Sequence, residues 1–208
     1  MNYTELTASI KEYTDNTETT FVSNIPTFVK QTEERIYRSI LIPELRKNVT
    51  TSLTSSNRFL AKPTDHLATF SIAVIDGSDN YAFLLPKDVN FIREAYPAVG
   101  TTGQPLYYAQ FDGDNFIVAP TPNSGYTVQL HYYYDPVSIV TGATSWLGDN
   151  AESVLLYGSL VEAYTFMKGE ADIITFYKTR YDEAMAGLQE LADGRNKRDS
   201  YRNGEPRI

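Results

Sequence analysis

The sequence changes its hydrophobic period twice, from helical to alternating and back to helical, and this order restricts the fold more than any other feature. In the first stretch Phe21, Val22, Ile25, Phe28, Val29, Thr32, Ile36, Tyr37, Ile40 and Leu41 recur at helical spacing and form one apolar face. Because proline fits only the first turn of a helix, Pro26 places this helix at about 24–42, with Pro43 stopping it. A shorter helix at about 4–13 precedes it and needs docking to be stable.

From Val49 to Pro136 the period is two. Phe70, Ile72 and Val74 alternate with Ser71 and Ala73, while Tyr126, Val128, Leu130, Tyr132 and Tyr134 share one face. Turn-forming segments 55–57, 76–79, 112–115 and 122–125 punctuate these runs, giving about eight antiparallel strands in a sandwich-like arrangement. The helical period returns with Asp149 and Glu152, spaced as a capping box, ahead of a helix that is apolar on all sides. Such a helix is central to a core or sandwiched between subunits. Lys168-Gly169 breaks it. A second helix, about 170–192, carries Ile173, Tyr177, Tyr181, Ala184, Leu188 and Leu191 as a packing seam, and Asp193-Gly194 is expected to cap it.

The expected class is therefore α+β: a helical bundle with an inserted antiparallel β-domain and an extended tail. The divisions are 1–44 for the first helices, 45–140 for the β-domain, 149–193 for the helical hairpin and 194–208 for a basic tail. Net charge supports treating the tail separately. The whole chain is −8, but five basic and two acidic residues make the last 14 residues +3, leaving −11 on the first 194. That acidity argues against general phosphate-neutralising nucleic-acid binding.

The chemistry of the side chains argues against an enzyme. With no cysteine, thiolate nucleophiles, disulfides and cysteine-ligated metals are excluded. No nucleophile elbow, phosphate loop, dinucleotide fingerprint or zinc-protease motif occurs. His131 falls on the polar face of its strand, His66 reads as a loop residue, and Asp112-Gly113-Asp114-Asn115 lacks the continuation of a calcium loop, so a hairpin turn is the better reading. No catalytic, cofactor or metal site is expected. No basic leader precedes an apolar run, and no stretch reaches the ~18 to 20 apolar residues of a spanning helix, so a chain made in the cytoplasm and no membrane partner are expected.

What the composition does favour is contact surface. There are 16 tyrosines but one tryptophan, and in runs such as Tyr107-Tyr108 and Tyr132-Tyr133-Tyr134 one ring points inward and the next outward. Tyr107, Tyr133 and their like are accordingly expected to face away from the core, several of these rings partly exposed, favouring a protein interface over a sugar-binding surface. Tyr201 and Pro206-Arg207-Ile208 give the basic tail the aromatic and apolar anchors of a docking peptide.

Three segments carry a resemblance: 156–170 (LYGSLVEAYTFMKGE), 177–181 (YKTRY) and 194–205 (GRNKRDSYRNGE). They are similar to the C-terminal half of head-to-tail adaptor (connector) proteins of tailed bacteriophages, short-tailed ones especially, and 91–96 and 126–132 are similar to that family's β-region. The resemblance implies a virion structural protein synthesised in the host cytoplasm and located at the capsid–tail junction. Its copies would form a ring, usually a dodecamer, under the portal protein, carry the tail or nozzle protein below, and surround the channel through which genomic DNA passes. On this reading Arg195, Lys197, Arg198, Tyr201, Arg202 and Arg207 dock on the portal. Leu156, Leu160, Tyr164, Phe166, Tyr177 and Tyr181 serve the bundle core or subunit interface, and Tyr107 and Tyr133 meet the next tail component. The alternative from another class is a carbohydrate-binding β-module on a helical stalk, serving host attachment.

Overall fold

A computed structural model describes the backbone of residues 1–196 and the side chains of residues 1–194. The chain is α+β and divides into two compact units, one of Met1–Pro43 with the chain from Pro136 onward, the other Glu44–Asp135. Helices α1 (Tyr3–Thr14) and α2 (Thr19–Ser39) come first. Strands β1 (Arg46–Ser52), β2 (Phe59–Ala61), β3 (His66–Ile75), β4 (Tyr81–Phe83) and β5 (Leu85–Pro86) lead to helix α3 (Val89–Ala95). Next are β6 (Thr102–Gly103), β7 (Tyr107–Gln110), β8 (Asn115–Ala119), β9 (Thr121–Pro122) and β10 (Thr127–Tyr134). Helices α4 (Ile139–Gly142), α5 (Trp146–Asn150), α6 (Glu152–Phe166) and α7 (Ala171–Asn196) complete the described chain.

In the first unit α6 is the hub, packed against α1, α2, α5 and α7. Its apolar circumference is thus explained inside one subunit: Val154, Leu155, Leu160 and Ala163 are buried with Leu6 and Ile10 of α1, Phe21, Ile25, Val29 and Ile36 of α2, and Tyr181 and Leu188 of α7. Gly158 is where α2 and α7 both press on α6. A Cβ there would collide with Thr32 Cγ2 on one side and lie 3.0 Å from the Tyr181 ring on the other. Arg35 of α2 pairs with Glu162 of α6 beside this crossing.

Several helix ends differ from the sequence expectation. α2 begins at Thr19, so Pro26 lies inside it and its missing N–H removes one internal bond. Burial of Phe21 and Ile25 holds the extra turns, and the Ser23 hydroxyl and Asn24 amide donate to Thr20 O, both at 2.8 Å. Asp149 does not cap α6. It falls in α5, which Ser145 caps by accepting from Gly148 N, and Ala151 joins the two helices without a side-chain cap. α7 runs through Gly194 to Asn196, with no glycine at positive φ, because a helical glycine costs only about 1 kcal/mol. The break before it uses Lys168, at φ 53°.

The second unit has three sheets, ordered β1-β10-β3-β4, β2-β8-β7-β5 and β6-β9. The two larger sheets share one core of Leu60, Ile72, Val74, Tyr108, Phe116, Val118, Val128, Leu130 and Tyr132, which is a sandwich. Ten strands replace the expected eight, and the pairings β5–β7 and β6–β9 are parallel. Between β5 and β7 the chain crosses over through α3, the connection a parallel pair needs. The helix covers the outer face of its sheet, burying Ile92 against Ala109, Ile117 and Ala119. In the first sheet a shift between His131 and Tyr132 leaves Phe70 without a partner on β10, turning it outward from Ile72 and Val74. Phe70 is therefore exposed rather than in the core.

Gly158 generates a paired prediction. Gly158→Leu should lower stability by roughly 1–3 kcal/mol through overpacking, whereas Gly187→Ala, where a Cβ meets nothing within 4 Å, should raise it by up to about 1 kcal/mol. Urea unfolding followed by helical circular dichroism measures both.

Candidate interaction surfaces

The helical residues singled out from sequence separate by exposure. Leu160 is fully buried, Leu156 and Tyr181 nearly so, which commits these three to the core of their own subunit. Tyr164 and Tyr177 are half-buried and Phe166 is exposed. Tyr177 is the centre of an aromatic cluster: Tyr164 stacks on it at 5.1 Å, Tyr157 at 6.4 Å, and Tyr13 and Phe176 meet its edge at 6.4 and 5.3 Å. The Tyr164 hydroxyl donates to Tyr13 O at 2.7 Å, tying α6 to the end of α1. Burial, then the neighbouring phenols led by Tyr164, push the Tyr177 phenol up to about 12. Phe176 of this cluster stays 54% exposed; elsewhere on the unit Ile173 is exposed, and so is Phe166, whose ring packs on Phe28 at 5.3 Å and Phe21 at 6.4 Å.

On the β unit, Tyr107 and Tyr133 both face away from the sandwich core; Tyr107 keeps part of its ring exposed, as expected, and Tyr133 does not. Tyr107 is half-buried under α3, against Phe91 at 5.4 Å and Tyr96 at 6.2 Å. Tyr133 is only 6% exposed. Arg46 lies across the sheet from it, with Nε donating to its hydroxyl at 3.1 Å and the guanidinium 4.3 Å over the Phe70 ring. Tyr107 is overlain by a helix and Tyr133 by an arginine, which strand alternation does not reveal. The rings left exposed are instead Phe59, Phe70, Tyr81, Phe83, Phe91 and Phe111, with Phe83 the most exposed at 65%. Tyr81 and Phe83 sit on β4, an edge strand. The available signal was the Tyr81-Ala82-Phe83 alternation beside the 76–79 turn.

The polar groups serve structure. His66 opens β3, not a loop, and is half-buried between Tyr132 at 5.7 Å and the edge of Phe116, with Nε2 2.9 Å from Thr69 Oγ1. Burial, then the Lys62 charge, holds its pKa below the ordinary value. Asp65 accepts from Tyr132 Oη at 2.8 Å and Lys47 Nζ at 2.6 Å. Burial opposes its ionisation, but these two donors and the Lys47 charge outweigh it and keep the carboxyl below its usual value. In the Asp112–Asn115 turn, Asp112 Oδ1 accepts the Asp114 and Asn115 amides, and Lys62 Nζ donates to Asp112 O at 2.6 Å. Among the described residues no group of three His, Asp or Glu side chains is placed to hold a metal ion, and no helix is long and apolar enough to cross a membrane. Of the tail residues, Lys197, Arg198, Tyr201, Arg202 and Arg207 lie outside the described residues, as does the side chain of Arg195.

These exposed rings and covered faces are the surfaces that a comparison with protein families helps to place. The family model for SU10 adaptor protein matches residues 1–206. The chain belongs to that family. None of the curated proteins matches it in sequence. It is thus a bacteriophage adaptor, a structural protein.

The phenols give a pH prediction. Burial, then the Asp65 hydrogen bond and charge, push Tyr132 up to about 12. A folded value above the unfolded one, 10.0, means that the stabilisation is complete below pH 10 and is lost as pH rises toward about 12. In an alkaline absorbance titration, Tyr132 and Tyr177 should ionise last among the tyrosines, and Asp65→Asn should move Tyr132 back toward 10.0 while leaving Tyr177 in place.

Proposed function

We propose that this adaptor is a head-to-tail connector of a short-tailed bacteriophage. Identical copies form a ring, a dodecamer, between the portal and the tail or nozzle protein, and surround the channel through which the genome leaves the capsid. Family membership across residues 1–206 carries the reading. Two physical features support it. The −11 carried by residues 1–194 repels DNA, so that a ring of such bodies lets a duplex pass without holding it. Exposed Phe166, Ile173 and Phe176 on the helical unit are apolar surface of the kind that a permanent neighbour covers.

In this arrangement the C-terminal segment, with Arg195, Lys197, Arg198, Tyr201, Arg202 and Arg207, docks on the portal. Contact with the next tail component falls to the β unit, and to Tyr81 and Phe83 rather than to the covered Tyr107 and Tyr133.

Electron microscopy of the protein mixed with its portal should show a ring of added density beneath the portal, and a chain lacking residues 195–208 should lose portal binding. Undiminished binding by the shortened chain would remove the tail from the interface, and the absence of any added ring would remove the connector reading itself.

A further inference from the structure

The N-terminal end of α6 and the C-terminal half of α7 enclose a groove of about 620 Å³. Its α7 side is made of small or apolar residues, Ala184, Gly187, Leu188 and Leu191, and its other side runs from Asp149 to Val154. Gly187 leaves the wall low, since a Cβ there would meet nothing within 4 Å, and Leu191 is 42% exposed. Asp149 and Glu152 put two exposed carboxylates on the rim, Glu152 lying 3.6 Å from the Met1 ammonium. The groove therefore has an apolar α7 wall and an edge with two carboxylates against one ammonium.

We propose that its occupant in the free protein is the chain's own C-terminal segment, bound intramolecularly. Twelve residues follow Asn196, four of them basic and two acidic, with Tyr201, Pro206 and Ile208 as apolar anchors. The far end of the groove, at Ala184, lies twelve residues back along α7 from Asn196, or about 18 Å at the helical rise. Twelve extended residues span roughly 40 Å, enough to reverse direction and run back along the groove. The sign of the charge matches, basic segment to acidic rim. Covalent attachment supplies an effective concentration on the order of millimolar, so modest contacts suffice.

The consequence is a parked tail. The residues that the connector reading assigns to the portal are held on their own subunit until a stronger site competes for them. The inference goes beyond that reading and is tested without the portal, so that failure of one is distinguishable from failure of the other.

Hydrogen exchange of the full chain measures it. Backbone amides of residues 198–208 should exchange about tenfold more slowly in the wild type than in Gly187→Phe, which fills the groove. They should also exchange faster in the surface variant Asp149→Lys, which leaves the Glu152–Met1 pair in place and tests the rim independently of any effect of the phenylalanine on folding. The slowing should weaken at high salt and be the same at all protein concentrations. Equal exchange in the wild type and both variants overturns the proposal, and so does slowing that grows with concentration, which would put the segment in a second copy's groove.

Discussion

The approach of three helices at Gly158 governs the helical unit. α6 is nearly all apolar, and a helix of that kind is stable only when neighbours cover most of its circumference. At Gly158 the α2 methyl of Thr32 and the α7 ring of Tyr181 occupy the space a side chain would take, so the helix axes come closer than ordinary side chains allow. That closeness lets Leu155, Leu160 and Ala163 be fully buried within a single chain. It also explains how α2 accommodates Pro26. The hydrogen bond lost at the proline is one local term, whereas Phe21, Ile25, Phe28 and Val29 are all buried around it.

The β unit depends on a different device. Its two main sheets have one shared core, and on each outer face part of the surface is covered by something that is not a sheet. α3 covers part of one face through Ile92. On the other, Arg46 covers Tyr133 and sets its guanidinium over the Phe70 ring, while Lys47 reaches Asp65, which also receives the Tyr132 hydroxyl. β1, β10 and the approach to β3 are thereby joined by side chains as well as by the ladder. An arginine at this position contributes packing area and hydrogen-bond direction together, which a lysine would not match.

How much of this could be read from the sequence follows from what each signal measures. Periodicity reports which face of an element is apolar, so the long helices and the strands around Ile72 and Leu130 were legible. It does not report what covers the opposite face. Tyr133 therefore reads as exposed although an arginine 87 positions away in sequence lies against it. Nor does it register a single residue left unpaired in a ladder, and that is why Phe70 falls on the wrong side. Local terminus signals were outvoted where tertiary contacts were stronger: Asp149 and Glu152 have capping spacing, but Ser145 starts α5 a few residues earlier. The groove beside α7 was not legible, because periodicity pairs the two consecutive helices without showing where small residues such as Ala184 and Gly187 leave a gap between them.

Tyrosine and phenylalanine change places relative to the expectation from composition, and the reason is chemical. A phenol can be buried at little cost when its hydroxyl finds a partner, and the structure supplies such partners: Asp65 for Tyr132, Arg46 for Tyr133 and the Tyr13 carbonyl for Tyr164. Tyrosines thus join the interior and its margins. Phenylalanine has no polar tip and gains nothing from water, yet Phe83, Phe176 and Phe166 are exposed at 65%, 54% and 43%. One such ring on a monomer needs no explanation. On the helical unit, however, Phe176 joins a tyrosine cluster and Phe166 extends the Phe21–Phe28 pair, and on the β unit Phe83 lies with Tyr81 along a sheet edge. Apolar rings grouped in this way are costly for a chain that works alone and useful to one that works in an assembly. The contact chemistry of this adaptor is therefore to be sought in its phenylalanines more than in the tyrosines that dominate its composition.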